Sequence, residues 1–73
     1  MSTNLAERFA ANLIQQRLRA GLTQQALAER SHVSMGLISH IEQGRRQDVR
    51  FSSLEAIANG LGIDPLCLLR EVS

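Results

Sequence analysis

The chain has one cysteine, one proline, no lysine and no long apolar run. Each shortage closes off a class of protein. A lone thiol, Cys67, excludes an internal disulfide, and an unpaired cysteine fits a reducing compartment, so a cytoplasmic protein is expected. Cys67, His32 and His40 are too few and too widely spaced for a Cys/His zinc framework, so neither a metal nor another cofactor is expected. The longest strongly apolar run is Leu66 to Leu69, far short of the roughly 20 residues that a bilayer span requires. Met1 to Asn4 offers no basic segment leading into an apolar one, so no secretory signal is read there. β-branched residues never alternate over a strand's length, which leaves strands without a signal. A net charge of +1 does not by itself announce a nucleic-acid ligand, so the distribution of charge has to make that case.

What is present suffices for one domain over residues 1–73, with 44% apolar and 21% charged residues. A domain this short buries only about 60% of its unfolded surface. With disulfide and metal set aside, a partner subunit is the remedy that remains, and a homodimer is expected.

The apolar spacing is helical throughout. Leu5, Phe9 and Leu13 recur at intervals of four, as do Ala10, Ile14 and Leu18, predicting an amphipathic first helix. Asn4 and Glu7 have capping-box spacing at its start, and Gly21 is its stop. Thr23 caps a short second helix that ends near Arg30, and Ser31 to Val33 form a connection. Ser34 caps a third, which Val33 and Ile38 staple at its entry and Gly44 ends. Residues 45–51 read as a basic loop. Ser52 with Glu55 predicts a capping box for a fourth helix carrying Leu54, Ile57, Ala58 and Leu61 and stopped at Gly62. Asp64-Pro65 opens a fifth, made apolar by Leu66, Leu68 and Leu69. The expectation is an all-α, compact, five-helix domain. Within it, Thr23 to Gly44 has the spacing of a helix-turn-helix, whose helices 2 and 3 are joined by a short turn and whose helix 3 lies in a DNA major groove, and equally that of an αα-corner that binds nothing.

At these residues the chain resembles a known family. LTQQALAERSHVSMGLISHIEQG (Leu22 to Gly44) is similar to the Cro/phage-repressor-type helix-turn-helix proteins, also called the xenobiotic-response-element family. LEAIANGLGIDPLCLL (Leu54 to Leu69) resembles their fourth and fifth helices, and LIQQRLRAG (Leu13 to Gly21) the end of their first. IEQGRRQDVRFSSLEAIANGLG resembles, more narrowly, the small controller proteins of restriction–modification systems. The resemblance implies a lambda-repressor-like fold and a double-stranded DNA operator as partner, with no enzymatic activity.

It also implies roles for residues. Gln24 matches a glutamine that binds a DNA phosphate, and a helix N-terminus with free N–H groups suits that role. Gln25 is a secondary candidate. Ser34, Met35, Gly36, Ser39 and His40 are the outward residues of helix 3 and the candidates for base readout: Ser bonds several base edges and Met35 can pack on a thymine methyl. The set departs from better-known members, which carry Gln or Arg here, and Gly36 costs roughly 0.5–1 kcal/mol of helix stability relative to alanine. Part of the readout is therefore assigned to DNA shape. Arg45, Arg46 and Arg50 concentrate positive charge in the loop that, by resemblance, follows the phosphate backbone; which of them enters the minor groove stays open. Arg17 and Glu42 match a structural ion pair.

The dimer face is expected on the fifth helix and part of the fourth, at Leu66, Cys67, Leu69 and Val72. Such a dimer sets two third helices about 34 Å apart on a pseudo-palindromic operator. Neither membrane contact nor a small-molecule effector is expected. The alternative reading is an antitoxin-like or bridging module whose main partner is another protein, supported by the modest charge and by the short side chains of helix 3. Cys67 with a histidine as a nucleophilic pair lacks a third partner and an oxyanion site, and a buried or interface thiol is the better reading.

Overall fold

Asn4 opens the first helix by the capping box its spacing predicts. Its Oδ1 accepts the Glu7 N–H at 2.8 Å, and Glu7 reaches back to the Asn4 N–H at 3.4 Å. The computed structural model describes residues 4–44 and 50–71. It contains α1 (Leu5–Arg19), α2 (Gln24–Ser31), α3 (Met35–Glu42), α4 (Phe51–Leu61) and a 3₁₀ turn (Pro65–Leu68). No strand occurs among the described residues.

The caps explain most of the boundaries. Thr23 Oγ1 accepts the Ala26 N–H at 3.0 Å and starts α2. Ser34 Oγ accepts the Leu37 N–H at 3.1 Å and starts α3. Gly21 ends α1 at φ +70°, a backbone that a glycine adopts without a Cβ penalty. Asp64 accepts the Leu66 N–H at 2.9 Å, with Pro65 at the first position of the 3₁₀ turn.

Each of the five elements sends at least one side chain to a common core. Phe9 and Leu13 come from α1, Leu27 from α2, Ile38 from α3, Ile57 from α4 and Leu68 from the 3₁₀ turn, all fully buried. Burying each contributes about 1.5–3 kcal/mol. Val33 packs against this core just ahead of Ile38, as a staple requires. α2 crosses α4 closely at Gly60. A Cβ there would overlap the Ser31 hydroxyl and lie 3.1 Å from the Ser31 backbone nitrogen.

Three expectations are corrected. The five-helix count fails, because the last element is a 3₁₀ turn of 4 residues. Its N–H groups bond three residues back, Cys67 to Asp64 and Leu69 to Leu66, while the Leu68 and Arg70 carbonyls are taken by Asn12 from α1. A stretch this short cannot offset the cost of nucleating an α-helix. Ser52 does not cap α4. The helix begins at Phe51 with Arg50 as N-cap, closed by a backbone bond from Leu54 N–H to the Arg50 carbonyl, which puts Ser52 inside the first turn. Leu5 and Leu18 do not join the buried stripe. The buried residues of α1 all lie between Ala6 and Leu13, and Leu18, beyond them, is 63% exposed. Leu66 is 71% exposed, so only Leu68 of the final apolar run enters the core, with Leu69 half-buried against it.

Candidate nucleic-acid interface

α2 and α3 are joined through His32, which takes the left-handed backbone at φ 59° and ψ 38°. The Val33 N–H bonds the Ala28 carbonyl at 3.0 Å and closes the turn. Leu27, Ile38 and Ile41 then lock the two helices against the core.

A polar knot fixes the far end of α3. Arg17 Nε donates to Glu42 Oε2 at 2.7 Å and Nη2 donates to Oε1 at 3.1 Å, a two-pronged pair joining α1 to α3. Arg17 Nη1 also donates to the Leu22 carbonyl at 2.9 Å. The two side chains are 14% and 7% exposed. The expected structural pair is thus present in geometry. The hydrogen bond to Glu42 raises the already very basic Arg17 guanidinium further, against the burial that pulls the other way. Stabilisation from a raised base is complete below its ordinary range and lost only as pH climbs past the raised value, so Arg17 stays charged at any physiological pH.

Gln24 belongs to the same knot. It is the first residue of α2, and its Nε2 donates to Glu42 Oε1 at 2.9 Å. Glu42 therefore ties three helices together. An amide carries two N–H groups, so one remains for a ligand at the start of α2. Gln25 beside it is exposed.

The outward face of α3 lies opposite Ile38 and Ile41. Ser34, Met35, Gly36 and His40 are exposed there, and Ser39 is half-buried. The five candidates for readout fall into two rows. Ser34, Gly36 and His40 line one open cleft together with Leu37. Met35, 50% exposed, shares the other row with Ser39, whose hydroxyl accepts the Gln43 side-chain N–H at 3.2 Å. Gln43 is exposed at the end of that row. Sequence reasoning missed it, although its spacing of four from Ser39 and eight from Met35 is a usable signal. Of the loop arginines, Arg50 is exposed at the start of α4. Arg45 and Arg46 lie outside the described residues.

The residues assigned to a dimer face separate. Leu66 is exposed, Cys67 and Leu69 are half-buried, and Val72 lies outside the described residues. Arg70 Nη2 approaches Cys67 Sγ at 3.6 Å. Asn12 anchors this region. Its Nδ2 donates to the Leu68 carbonyl at 3.1 Å and to the Arg70 carbonyl at 2.8 Å. Sequence reasoning missed Asn12, whose signal is an amide three residues after Phe9 on an otherwise apolar face. Among the described residues no group of His, Cys, Asp and Glu is placed to hold a metal ion. No helix among them is long and apolar enough to cross a membrane.

The model of the helix-turn-helix domain family matches residues 8–71. No curated protein gives a significant match to the chain. Several solved structures do. The restriction-modification controller protein C.AhdI from Aeromonas hydrophila is 28% identical with a TM-score of 0.80, over 86% of this chain and 94% of that one. The clp gene regulator ClgR from C. glutamicum is 34% identical with a TM-score of 0.81, over 92% and 86%. A hypothetical transcription factor from Neisseria is 26% identical with a TM-score of 0.86, over 93% and 77%.

Proposed function

The chain belongs to the helix-turn-helix domain family, and from that premise we propose that it is a sequence-specific DNA-binding transcriptional regulator that acts as a homodimer on a pseudo-palindromic operator. One observation carries the reading. α3 is held from behind by its core residues and at its end by the Glu42 knot, while Ser34, Met35, Gly36 and His40 stand exposed on its outer side. A rigid helix with a small, polar and partly apolar outer row suits a major groove. Likeness to controller and regulator proteins supports the same reading.

In this reading α3 contacts base edges, Gln24 and Gln25 bond phosphates at the start of α2, and Arg45, Arg46 and Arg50 follow the backbone. The second copy docks on Leu66, Cys67, Leu69 and Val72. In this reading occupancy follows protein concentration through dimerisation.

The test is selection from a random-sequence DNA pool at two salt concentrations. A palindrome with half-sites about one helical turn apart, bound far more weakly at high salt, is the expected result. No enriched sequence, with weak binding at both salts, would turn attention to a protein partner. For the dimer, Leu66→Asp leaves the core untouched because the side chain is exposed. It should convert the wild-type dimer to monomer in analytical ultracentrifugation, and an unchanged sedimentation coefficient would refute the interface. Truncation is a poorer probe, since it would remove the buried Leu68.

A further inference from the structure

Gly36 stands in the first turn of α3 on its exposed side. Nothing inside the protein asks for a glycine there. It is absent from the positive-φ residues, and a Cβ built on it meets only the Ser34 hydroxyl, at 3.9 Å. Gly60 is the contrast, since a side chain there would run into Ser31. A glycine in a helix lowers stability relative to alanine. What Gly36 supplies instead is space, an open cleft of about 360 Å³ lined by Ser34, Gly36, Leu37 and His40.

The cleft has a definite chemistry. Leu37 is half-buried and packed against the core, which gives a firm apolar wall. Ser34 Oγ accepts the Leu37 N–H at 3.1 Å, and the hydroxyl hydrogen has no acceptor among the described residues. It is available as an outward donor. A donor beside an apolar recess matches one base edge in the major groove. Thymine shows an O4 acceptor next to a C5 methyl; guanine shows two acceptors, adenine an acceptor and a donor, and cytosine a donor, all without a methyl.

Resting on the DNA-binding reading of α3, we propose that this cleft is a thymine subsite. The C5 methyl seats against Leu37 and the bare Cα of Gly36, and the Ser34 hydroxyl donates to O4. Gly36 determines specificity by having no side chain.

The experiment uses the full chain and the operator recovered by selection. Each thymine is replaced in turn by uracil, which removes only the methyl, and affinities are measured by fluorescence anisotropy for wild type, Gly36→Ala and Gly36→Leu. At one thymine per half-site, uracil should weaken wild-type binding about fourfold, the worth of one methyl-sized group leaving its recess. Gly36→Leu should bind the original operator more weakly and be indifferent to uracil at that position. Gly36→Ala should melt about 2–8 °C higher than wild type, which separates the groove role from the fold. If wild type selects an operator yet tolerates uracil everywhere, the subsite is overturned and the regulator reading stands. The same holds if Gly36→Leu keeps full affinity and uracil sensitivity. If wild type selects no sequence at all, both are overturned together.

Discussion

After α2 the chain turns through His32 at φ 59° and ψ 38°; after α4 it turns through Gly62 at φ 70° and ψ 33°. The next residue in each case, Val33 or Ile63, returns its N–H five positions to Ala28 or Ala58 at 3.0 Å and packs its side chain on the core. A polar cap comes next: Ser34 accepts from Leu37, Asp64 from Leu66. One backbone device thus serves both joints, and it occurs a third time after α1, where Gly21 takes φ 70°, the Leu22 N–H returns five positions to Arg17 at 3.1 Å and Thr23 supplies the cap. Beyond the cap the two diverge. Ser34 leads into an α-helix of 8 residues with an open outer face, while Asp64 leads into 4 residues of 3₁₀ turn that drive Leu68 into the core. α1 holds each unit with one side chain. Arg17 grips the first by a charged pair to Glu42 and a bond to the Leu22 carbonyl, and Asn12 grips the second by its backbone carbonyls alone. The contrast teaches that the turn sets only where the chain reverses. Whether the next element presents a surface or seals the core depends on the residues beyond the cap and on the groups that α1 binds.

Removing the charged grip should do the most damage. Arg17→Ala leaves Glu42 half-satisfied in a nearly dry site and should cost about 3–5 kcal/mol, read by urea denaturation. An unchanged midpoint would show that the knot is not what holds the first unit. Asn12→Ala should cost less, about 1–3 kcal/mol, because it orphans neutral carbonyls rather than a carboxylate. Proteolysis should then cut first near the 3₁₀ turn; cleavage starting elsewhere would contradict the assignment.

Where the two units touch, Gly60→Ala should lose about 1–3 kcal/mol, because the Ser31 hydroxyl can swing aside but the Ser31 Cβ and backbone nitrogen, each 3.1 Å from the new Cβ, cannot. Adding Ser31→Gly should recover part of that loss in a double-mutant cycle, and strictly additive costs would deny the contact. The smallest effects concern the two turn residues. Gly62→Ala should cost about 1 kcal/mol, all of it backbone, since no described atom lies within 4 Å of the new Cβ. His32→Gly should do the reverse and gain roughly 0.5–1 kcal/mol. Equal melting temperatures for the His32 variant and wild type would mean that the histidine has a compensating contact.

Local chemistry makes much of this legible in the sequence. Asn4, Thr23, Ser34 and Asp64 cap where a short oxygen-bearing side chain precedes an apolar period, and the glycine stops stand at the ends of α1, α3 and α4. The Arg17–Glu42 pair came from family resemblance, since 25 positions separate its members and no local rule joins them. The contacts that escaped notice depend on the same kind of distance. Gln24 joins Glu42, Asn12 joins Leu68 and Arg70, and Gly60 faces Ser31 only after the helices have packed. The Ser52–Glu55 spacing misled because a box of the right letters is outcompeted when a backbone bond from Leu54 to Arg50 already closes the turn. The exposure of Leu18 also lay beyond periodicity, which says which residues share a face but not how far along that face a neighbour extends.

Asn12 bonds carbonyls 56 and 58 positions further on. That separation adds little to the equilibrium cost, because loop-closure entropy rises by only about 0.6 kcal/mol per doubling of length. Its consequence lies in the order of events. During synthesis α1 emerges long before the carbonyls that will satisfy Asn12, so the amide stays solvated until Leu68 and Arg70 have been made. A contact of this sequence separation is expected to form late in folding and to open early. Replacing Asn12 should therefore speed unfolding while leaving the refolding rate nearly untouched, which makes this one amide a latch on the lifetime of the folded state rather than on the speed of reaching it.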